Sequence, residues 1–207
     1  MTPPLRAMQD DDFANPGMFA VQDGEALWKS EGCGACHAAA TMKGVAARYP
    51  AVKDGRLLNL EQRINACRKA GPWPYESKEL LAMTAFIANE SRGMPITVSR
   101  DAKWLEEGKK LYSRREGQIN LSCAQCHDER AGQKLGGSVI PQAHPTGYPI
   151  YRLEWQGMGS LQRRLRNCMS GLRAEPYAYG SEELVALEYY LMSRASGMKL
   201  ETPAVRP

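Results

Sequence analysis

The sequence predicts an all-α protein built from two repeated halves, with an extended N-terminal arm and long loops. Apolar residues recur at helical spacing, and three short blocks of sequence occur twice in the same order. The repeated blocks are 60–63 with 161–164, 77–83 with 181–187, and 91–94 with 196–198. A duplicated helical domain explains both observations.

The composition is that of an ordinary soluble globular protein. Of the 207 residues, 43% are hydrophobic and 24% are charged. The net charge of +4 comes without a long basic tract, so we expect no nucleic-acid partner. No apolar run reaches the roughly 20 residues of a membrane span. The first residues lack the apolar segment of a signal peptide, and we therefore expect a mature form whose Met1 was added in cloning.

Helical periodicity and capping residues place six helices. The predicted helices are 23–30, 57–69, 77–92, 101–114, 160–170 and 181–194. A Gly/Pro-rich loop is expected over 131–149, and the tail 201–207 is expected to be extended. The division that follows is an arm over 1–22, a first domain over 23–96 and a second domain over 97–207.

Each half contains one C-x-x-C-H motif, first Cys33, Cys36 and His37, then Cys123, Cys126 and His127. This pattern is the attachment signature of c-type haem, in which two thiols form thioethers and the histidine binds iron. A single C-x-x-C could instead be a redox dithiol or half of a zinc site. Two copies favour two covalently bound haems c, in two cytochrome c-like domains, with His37 and His127 as axial iron ligands.

The second axial ligand of each haem is less obvious. Methionine is the usual candidate, but methionines at helical spacing are generally core residues. The methionines available are Met83, Met94, Met192 and Met198. His144 has no counterpart in the first half. Cys67 and Cys168 occupy equivalent places in the two halves, which favours them as axial ligands over a mutual disulfide or inert buried thiols.

An arginine precedes each of these cysteines by one helical turn, on the same helix face. For Arg63 we expect a haem propionate as partner. Arg164 stands between Arg163 and Arg166, a density of positive charge that suits a small dianionic substrate. Arg194, late in the final helix, could join that site.

These residues resemble the SoxA family, the dihaem subunits of the SoxAX cytochromes in sulfur oxidation. The resemblance covers most of the chain, and its specific part is the block around Cys168 and the final helix. The matching segments are 12–16, 33–37, 65–67, 91–94, 123–127, 151–153, 168, 173–175, 180–181, 186–188 and 193–194.

The resemblance implies an L-cysteine S-thiosulfotransferase that conjugates thiosulfate to a cysteine of a SoxYZ-like carrier in the periplasm. It implies Cys168 as the axial ligand of the active-site haem, Cys67 as that of the first haem, and Arg164 and Arg194 as substrate-site arginines. A SoxX-like cytochrome c subunit would complete a heterodimer and receive the electrons.

The residues alone leave two other functions open. A plain dihaem electron-transfer cytochrome would use His/Met ligation and would make no bond. A thiosulfate dehydrogenase would form tetrathionate without a carrier protein. The paired cysteines disfavour the first function, and a cysteine in both halves disfavours the second.

Overall fold

The computed structural model describes all residues 1–207, which form eight α-helices and seven short β-strands. The helices are α1 Pro3–Asp10, α2 Gly17–Ser30, α3 Leu60–Cys67, α4 Lys78–Asn89, α5 Ala102–Ser113, α6 Cys123–His127, α7 Leu161–Gly171 and α8 Glu182–Arg194. The strands are β1 Ala51–Lys53, β2 Arg56–Leu58, β3 Lys134–Leu135, β4 Ser138–Val139, β5 Ile150–Arg152, β6 Gly157–Gly159 and β7 Ala204–Arg206. No helix is both long and apolar enough to cross a membrane.

The two halves use the same helix pair as their frame. Helix α2 packs on α4 in the first half, and α5 packs on α8 in the second. Both crossings need a glycine, because a Cβ at Gly24 would lie 2.1 Å from the Ala82 carbonyl oxygen and one at Gly108 would lie 2.3 Å from that of Ala186. Backbones can approach this closely only where no side chain intervenes.

Polar side chains fix where the repeated helices begin. The residues before α3, α4, α7 and α8 each accept a hydrogen bond from the third backbone N–H of the helix that follows. These caps are Asn59, Ser77, Ser160 and Ser181. Asn59 and Gln62 also form a reciprocal capping box. The helix starts predicted at Ser77, Ser160 and Ser181 are thus the capping residues, each one position before the first helical residue.

The largest core cluster joins the halves. It brings Ala88 and Ile96 of the first half against Trp104, Tyr189 and Met192 of the second. A separate core fills the first half around Trp28, Ile64, Leu80 and Phe86. Because one apolar core is shared, the two halves form a single folded unit.

The prediction of a purely helical fold is wrong in one respect, since three small sheets are present. Strands β1 and β2 form a hairpin, β3 and β4 form another, and β6, β5 and β7 form a three-stranded sheet. The first hairpin turns at Asp54 and Gly55, both with positive φ, which is the preferred pair for a two-residue hairpin turn. This hairpin takes Leu57 and Leu58 out of the predicted helix 57–69, which begins at Leu60 instead. The predicted extended tail is confirmed as β7, which runs parallel to β5.

The N-terminal arm is helical, not extended as predicted. Helix α1 buries Leu5 and Gln9 against the C-terminal strand β7, and α2 begins at Gly17, six residues earlier than expected. Asn15 connects these parts by donating hydrogen bonds to the carbonyl oxygens of Gln9 and Pro203, at 3.1 and 2.9 Å. The arm therefore packs on the body through buried polar contacts that no apolar periodicity indicates.

Candidate functional site

The second C-x-x-C-H motif is a single helical turn, α6. Ser122 and Gln125 form a capping box that starts this turn. One turn separates Cys123 from Cys126, so both thiols lie on the same side of the helix. No disulfide joins any of the six cysteines, and all of them are free thiols. The alternative of a Cys67–Cys168 disulfide therefore has no support.

The ring of His127 is oriented by a backbone carbonyl. Its Nδ1 lies 2.7 Å from the carbonyl oxygen of Pro141. Because a carbonyl can only accept a hydrogen bond, Nδ1 carries the proton and Nε2 keeps its free lone pair. This is the arrangement that metal-binding histidines require. The prediction that His127 could bind iron is compatible with this geometry.

The first motif forms a 3₁₀ turn over Cys33–Ala35. The backbone N–H groups of Cys36 and His37 both donate to the Cys33 carbonyl oxygen, at 3.1 and 3.0 Å. The indole of Trp28 lies with its ring centre 6.3 Å from that of the exposed His37. The first motif is thus more open than the second.

Cys67 and Cys168 each lie near the first cysteine of the motif in their own half. Burial raises the pKa of Cys123 to about 11, and a negative charge on Cys168 adds to the effect. Burial also raises the pKa of Cys33, with Glu31 and Cys67 contributing in the same direction. The charges of Cys67 and Cys168 thus act on the first motif cysteine of their own halves, Cys33 and Cys123 respectively.

A tyrosine that the sequence analysis missed accompanies each pair of cysteines. Burial raises the pKa of Tyr148 to about 12, opposed by Arg164 and reinforced by Cys168. In the first half, burial raises the pKa of Tyr49, opposed by Arg63 and reinforced by Cys67. Each tyrosine stands before a proline and a short strand, so the repeated Tyr-Pro dipeptide was the signal available in the sequence.

Arg164 is the arginine of α7 that has no partner. Arg163 contacts Glu76 at 3.9 Å and lies over the Trp155 ring, while Arg166 lies over the Tyr179 ring. Arg164 makes neither a side-chain hydrogen bond nor an ion pair within the protein. Of the three basic residues that the sequence placed here, only Arg164 is free to bind an anion.

Arg194, unlike Arg164, has a partner within the protein. Its guanidinium binds Asp128, the residue after His127, with Nη2 2.5 Å from Oδ1, and it packs over the rings of Tyr112 and Tyr190. Burial opposes ionisation of Asp128, but hydrogen bonds from Arg194 and Tyr112 lower the pKa of its carboxyl. The contacts of Arg194 are those of a residue that fixes the segment after the second motif.

The other candidate iron ligands are four methionines and His144. Met83 and Met192 are buried in the two main cores, and Met94 packs near Gly44. Met198 is 42% exposed. His144 lies near Arg194 and Asp128, where burial and then Arg194 lower its pKa. The core positions of Met83 and Met192 agree with a packing role.

A surface groove of about 480 Å³ contains no cysteine or histidine in its lining. Its walls include Glu116, Arg173 and Tyr177. The groove lies in the second half near the motif, because Glu116 contributes to the raised pKa of Cys123. It offers space beside the cysteines but none of the groups that could perform their chemistry.

Comparison with known proteins shows which family the chain resembles. Residues 23–96 and 107–200 each match the family described as SoxA/TsdA, cytochrome c domain. The chain is 37% identical to the L-cysteine S-thiosulfotransferase subunit SoxA of Pseudaminobacter salicylatoxidans, over 97% of this chain and 77% of that protein. It is also 37% identical to the subunit of the same name from Rhodovulum sulfidophilum, over 99% of this chain and 77% of that protein. The crystal structure of SoxXA from P. pantotrophus superposes with a TM-score of 0.95 at 35% identity, covering 100% of this chain and 84% of that one.

A cytochrome c domain carries covalent haem c, and the residues present fit that group. Paired free thiols on one turn provide the attachment points, and the His127 ring has its Nε2 available for iron. A nearby cysteine in each half adds a further sulfur. The second motif therefore offers the thiols and the histidine nitrogen that a haem c site requires.

Proposed function

Because the chain belongs to the SoxA family, we propose that it is the cytochrome subunit of an L-cysteine S-thiosulfotransferase, acting in the periplasm. The reaction joins thiosulfate to a cysteine of a SoxYZ-like carrier protein. The observation that carries this proposal is the unpartnered Arg164 one helical turn before Cys168, which itself lies near Cys123 of a C-x-x-C-H motif. An anion-binding group and a sulfur centre are thus adjacent.

The proposal assigns two haems c, one to each half. Cys33 and Cys36 would attach the first haem, and His37 and Cys67 would bind its iron. Cys123 and Cys126 would attach the second haem, and His127 and Cys168 would bind its iron. The separate pairing of Cys33 with Cys67 and of Cys123 with Cys168 supports this assignment. It also supports the domain division 1–22, 23–96 and 97–207, although the shared core makes the halves one folded unit.

The overall chemistry is a two-electron oxidation. A sulfur–sulfur bond forms between the carrier cysteine and the outer sulfur of thiosulfate, and the carrier S–H bond breaks. The proton passes to solvent and two electrons leave the sulfur atoms, so that a thiol and a dianion give a monoanionic S-thiosulfonate, a proton and two electrons. Bound haem supplies one-electron acceptors for these electrons, and a SoxX-like partner takes them onward.

The residues of the second half bind and orient the anion. The planar guanidinium of Arg164 can donate two parallel hydrogen bonds to the sulfonate oxygens of thiosulfate. This holds the outer sulfur toward Cys168. The Tyr148 hydroxyl stays protonated at neutral pH, because burial raises its pKa to about 12, and it can donate one further hydrogen bond. Arg194 enters the proposal from the family resemblance, and its ion pair with Asp128 would have to open before it reached the anion.

The first half lacks this arrangement of charge. Arg63 has no basic neighbour equivalent to Arg163 or Arg166. We therefore assign catalysis to the second half and electron storage to the first. Arg63 is assigned to a haem propionate.

Thiosulfate dehydrogenase is the second candidate, because the matching family description includes TsdA together with SoxA. That enzyme would join two thiosulfates to form tetrathionate and would not need a carrier. Chromatographic analysis of the products with and without the carrier separates the two activities. Product that appears only on the carrier cysteine supports the conjugation.

The test of the proposed function replaces Cys168 by Met in the assembled complex with partner and carrier present. We expect thiosulfate-dependent turnover to fall to background, because the sulfur centre beside the anion site is removed. The matched control is Cys67→Met, the equivalent change in the other half, which should retain most of the turnover. Undiminished turnover in the Cys168 variant would contradict the proposal.

A further inference from the structure

A cavity of about 80 Å³, partly open to the surface, lies at the interface between the two halves. Tyr49 and Tyr148 line it from opposite halves, together with Thr84 and the capping residue Asn59. Two acidic residues also line it, Glu61 of α3 and Glu188 of α8. A volume of this size can hold a few water molecules where polar groups are available.

Both acidic side chains are buried, Glu61 at 5% and Glu188 at 6% exposure. Oε2 of Glu61 has no hydrogen-bond partner in the protein. Oε1 of Glu188 accepts one long hydrogen bond, from Asn59 Nδ2 at 3.4 Å. Buried polar groups are nearly always satisfied in proteins, so these carboxyl groups need water or a proton as a partner.

The halves contribute the two carboxyl groups from non-equivalent positions. In the repeat, Glu61 of α3 corresponds to Gln162 of α7, and Glu188 of α8 corresponds to Thr84 of α4. Each half therefore has an acid at one of the two positions and a neutral polar residue at the other. The packing of the halves brings both acids to the same cavity.

No positive charge compensates either carboxylate. Neither Glu61 nor Glu188 forms an ion pair with a cation. The groups facing them from α4 and α7, Thr84 and Gln162, are neutral. The remaining acid nearby, Glu76, has its own contacts with Ser160 N–H and with Arg163 at 3.9 Å.

The surrounding tyrosines are neutral as well. Tyr49 and Tyr148 line the cavity, and Tyr75 lies close enough to Glu61 for the two groups to affect each other. Burial raises the pKa of all three phenols, so they remain protonated at neutral pH. Two carboxylates in one buried site without a cation cannot both stay ionised.

We propose that this cavity is a hydrated proton-binding site, in which Glu61 and Glu188 together retain one proton at neutral pH. The proton resides on Glu61, which lacks a protein hydrogen bond, while Glu188 is the group that Asn59 can stabilise as a carboxylate. Water in the cavity connects the two. A divalent cation does not fit, since the structure contains no cluster of three or more acidic, His or Cys side chains of the kind that holds a metal.

The directions of the pKa shifts agree with this. Burial raises the pKa of Glu61 well above its ordinary value, and the charges of Glu188 and Glu76 add to the effect. Burial raises the pKa of Glu188 to about 7, against hydrogen bonding by Asn59 and Gln162. Because the two groups interact, the pair titrates as a unit.

The test is infrared difference spectroscopy of the intact protein between pH 5 and pH 9, in the region of the protonated carboxyl C=O stretch. The wild type should show such a band at pH 7 and at pH 8, and Glu61→Gln should remove it at pH 8, above the pKa of about 7 of Glu188. Gln is the residue at the equivalent position 162 of the other half, so this substitution fits the fold. Glu188→Gln should keep the band. The pH at which the band disappears on deprotonation should be lower than in the wild type, because a neighbouring negative charge is gone.

The control is Glu183→Gln, an exposed residue on the same helix α8, which should leave the band unchanged. Absence of a protonated-carboxyl band in the wild type at pH 7 would overturn the proposal. So would a band that survives unchanged in both cavity variants. Far-UV circular dichroism of each variant establishes that it is folded.

Discussion

Replacing Glu188 by Gln should change how the stability of the protein depends on pH. The side chain is buried in α8, and burial raises its pKa from an ordinary 4.5 to about 7 in the folded state. A carboxyl whose pKa is raised on folding stabilises the protein fully below its unfolded pKa. That contribution is lost as the pH rises through the folded pKa.

The magnitude follows from the difference between the two pKa values. From 4.5 to about 7 is roughly 2.5 units, and each unit corresponds to about 1.4 kcal/mol, which gives a contribution on the order of 3 kcal/mol. Between pH 4.5 and pH 8 the wild type should lose about this amount relative to Glu188→Gln. The neutral amide does not titrate, so the variant lacks this loss.

The assay is urea unfolding followed by far-UV circular dichroism at pH 5, 6, 7 and 8. The informative quantity is the difference in free energy of unfolding between wild type and variant at each pH. Glu183→Gln, on the exposed face of the same helix, should follow the wild type throughout. Parallel pH profiles for wild type and Glu188→Gln would refute the reasoning, because the buried carboxyl would then carry no pH-dependent cost.

Three further predictions concern the anion site and the helix frame. Arg164→Ala should lower kcat/KM for thiosulfate by roughly 10- to 100-fold, since a hydrogen bond to a charged group contributes about 1.5–3 kcal/mol; steady-state kinetics with partner and carrier measure it. Tyr148→Phe should lower the same ratio by about 10-fold, the lower end of the effect of losing one hydrogen bond to a charged group. Gly108→Ala should destabilise the protein by about 1–3 kcal/mol in thermal or urea unfolding, because its Cβ would lie 2.3 Å from a carbonyl oxygen of α8.

Matched controls exist for each of these changes. Arg63→Ala and Tyr49→Phe alter the equivalent residues of the first half and should leave kcat/KM for thiosulfate nearly unchanged. Gly171→Ala replaces a helical glycine whose Cβ would meet nothing within 4 Å, and it should not destabilise the protein. Equal kinetic losses in the two halves would contradict the assignment of catalysis to the second. Equal stability of the two glycine variants would contradict the tight helix crossing.

The helical frame was predictable from the sequence because its signals are local. Apolar spacing and capping residues place α5, α7 and α8 within one residue of their observed ends. The Asp54-Gly55 turn was an equally local signal for the first hairpin, but the apolar periodicity of the helix that follows obscured it. The helical arm depends on tertiary contacts of Gln9 and Asn15, which no periodic pattern encodes.

The candidate site was predictable in part for the same reason. The motifs at 33–37 and 123–127 are contiguous, and the repeat identified Cys67 and Cys168. The partners of the basic residues depend on the three-dimensional packing. Arg163 lies over Trp155, and Arg194 binds Asp128 across 66 positions of sequence. That Glu61 and Glu188 share a cavity follows from how the halves pack and could not be inferred from either half alone.

Low-temperature electron paramagnetic resonance of the oxidised protein tests the central claim most directly, namely that Cys168 is an axial ligand of the second haem. The wild type should show low-spin signals of thiolate-ligated haem. Cys168→Met should abolish one set of these signals, and Cys67→Met should abolish the other. A wild-type spectrum with only His/Met-type signals, or one that neither substitution changes, would contradict the account.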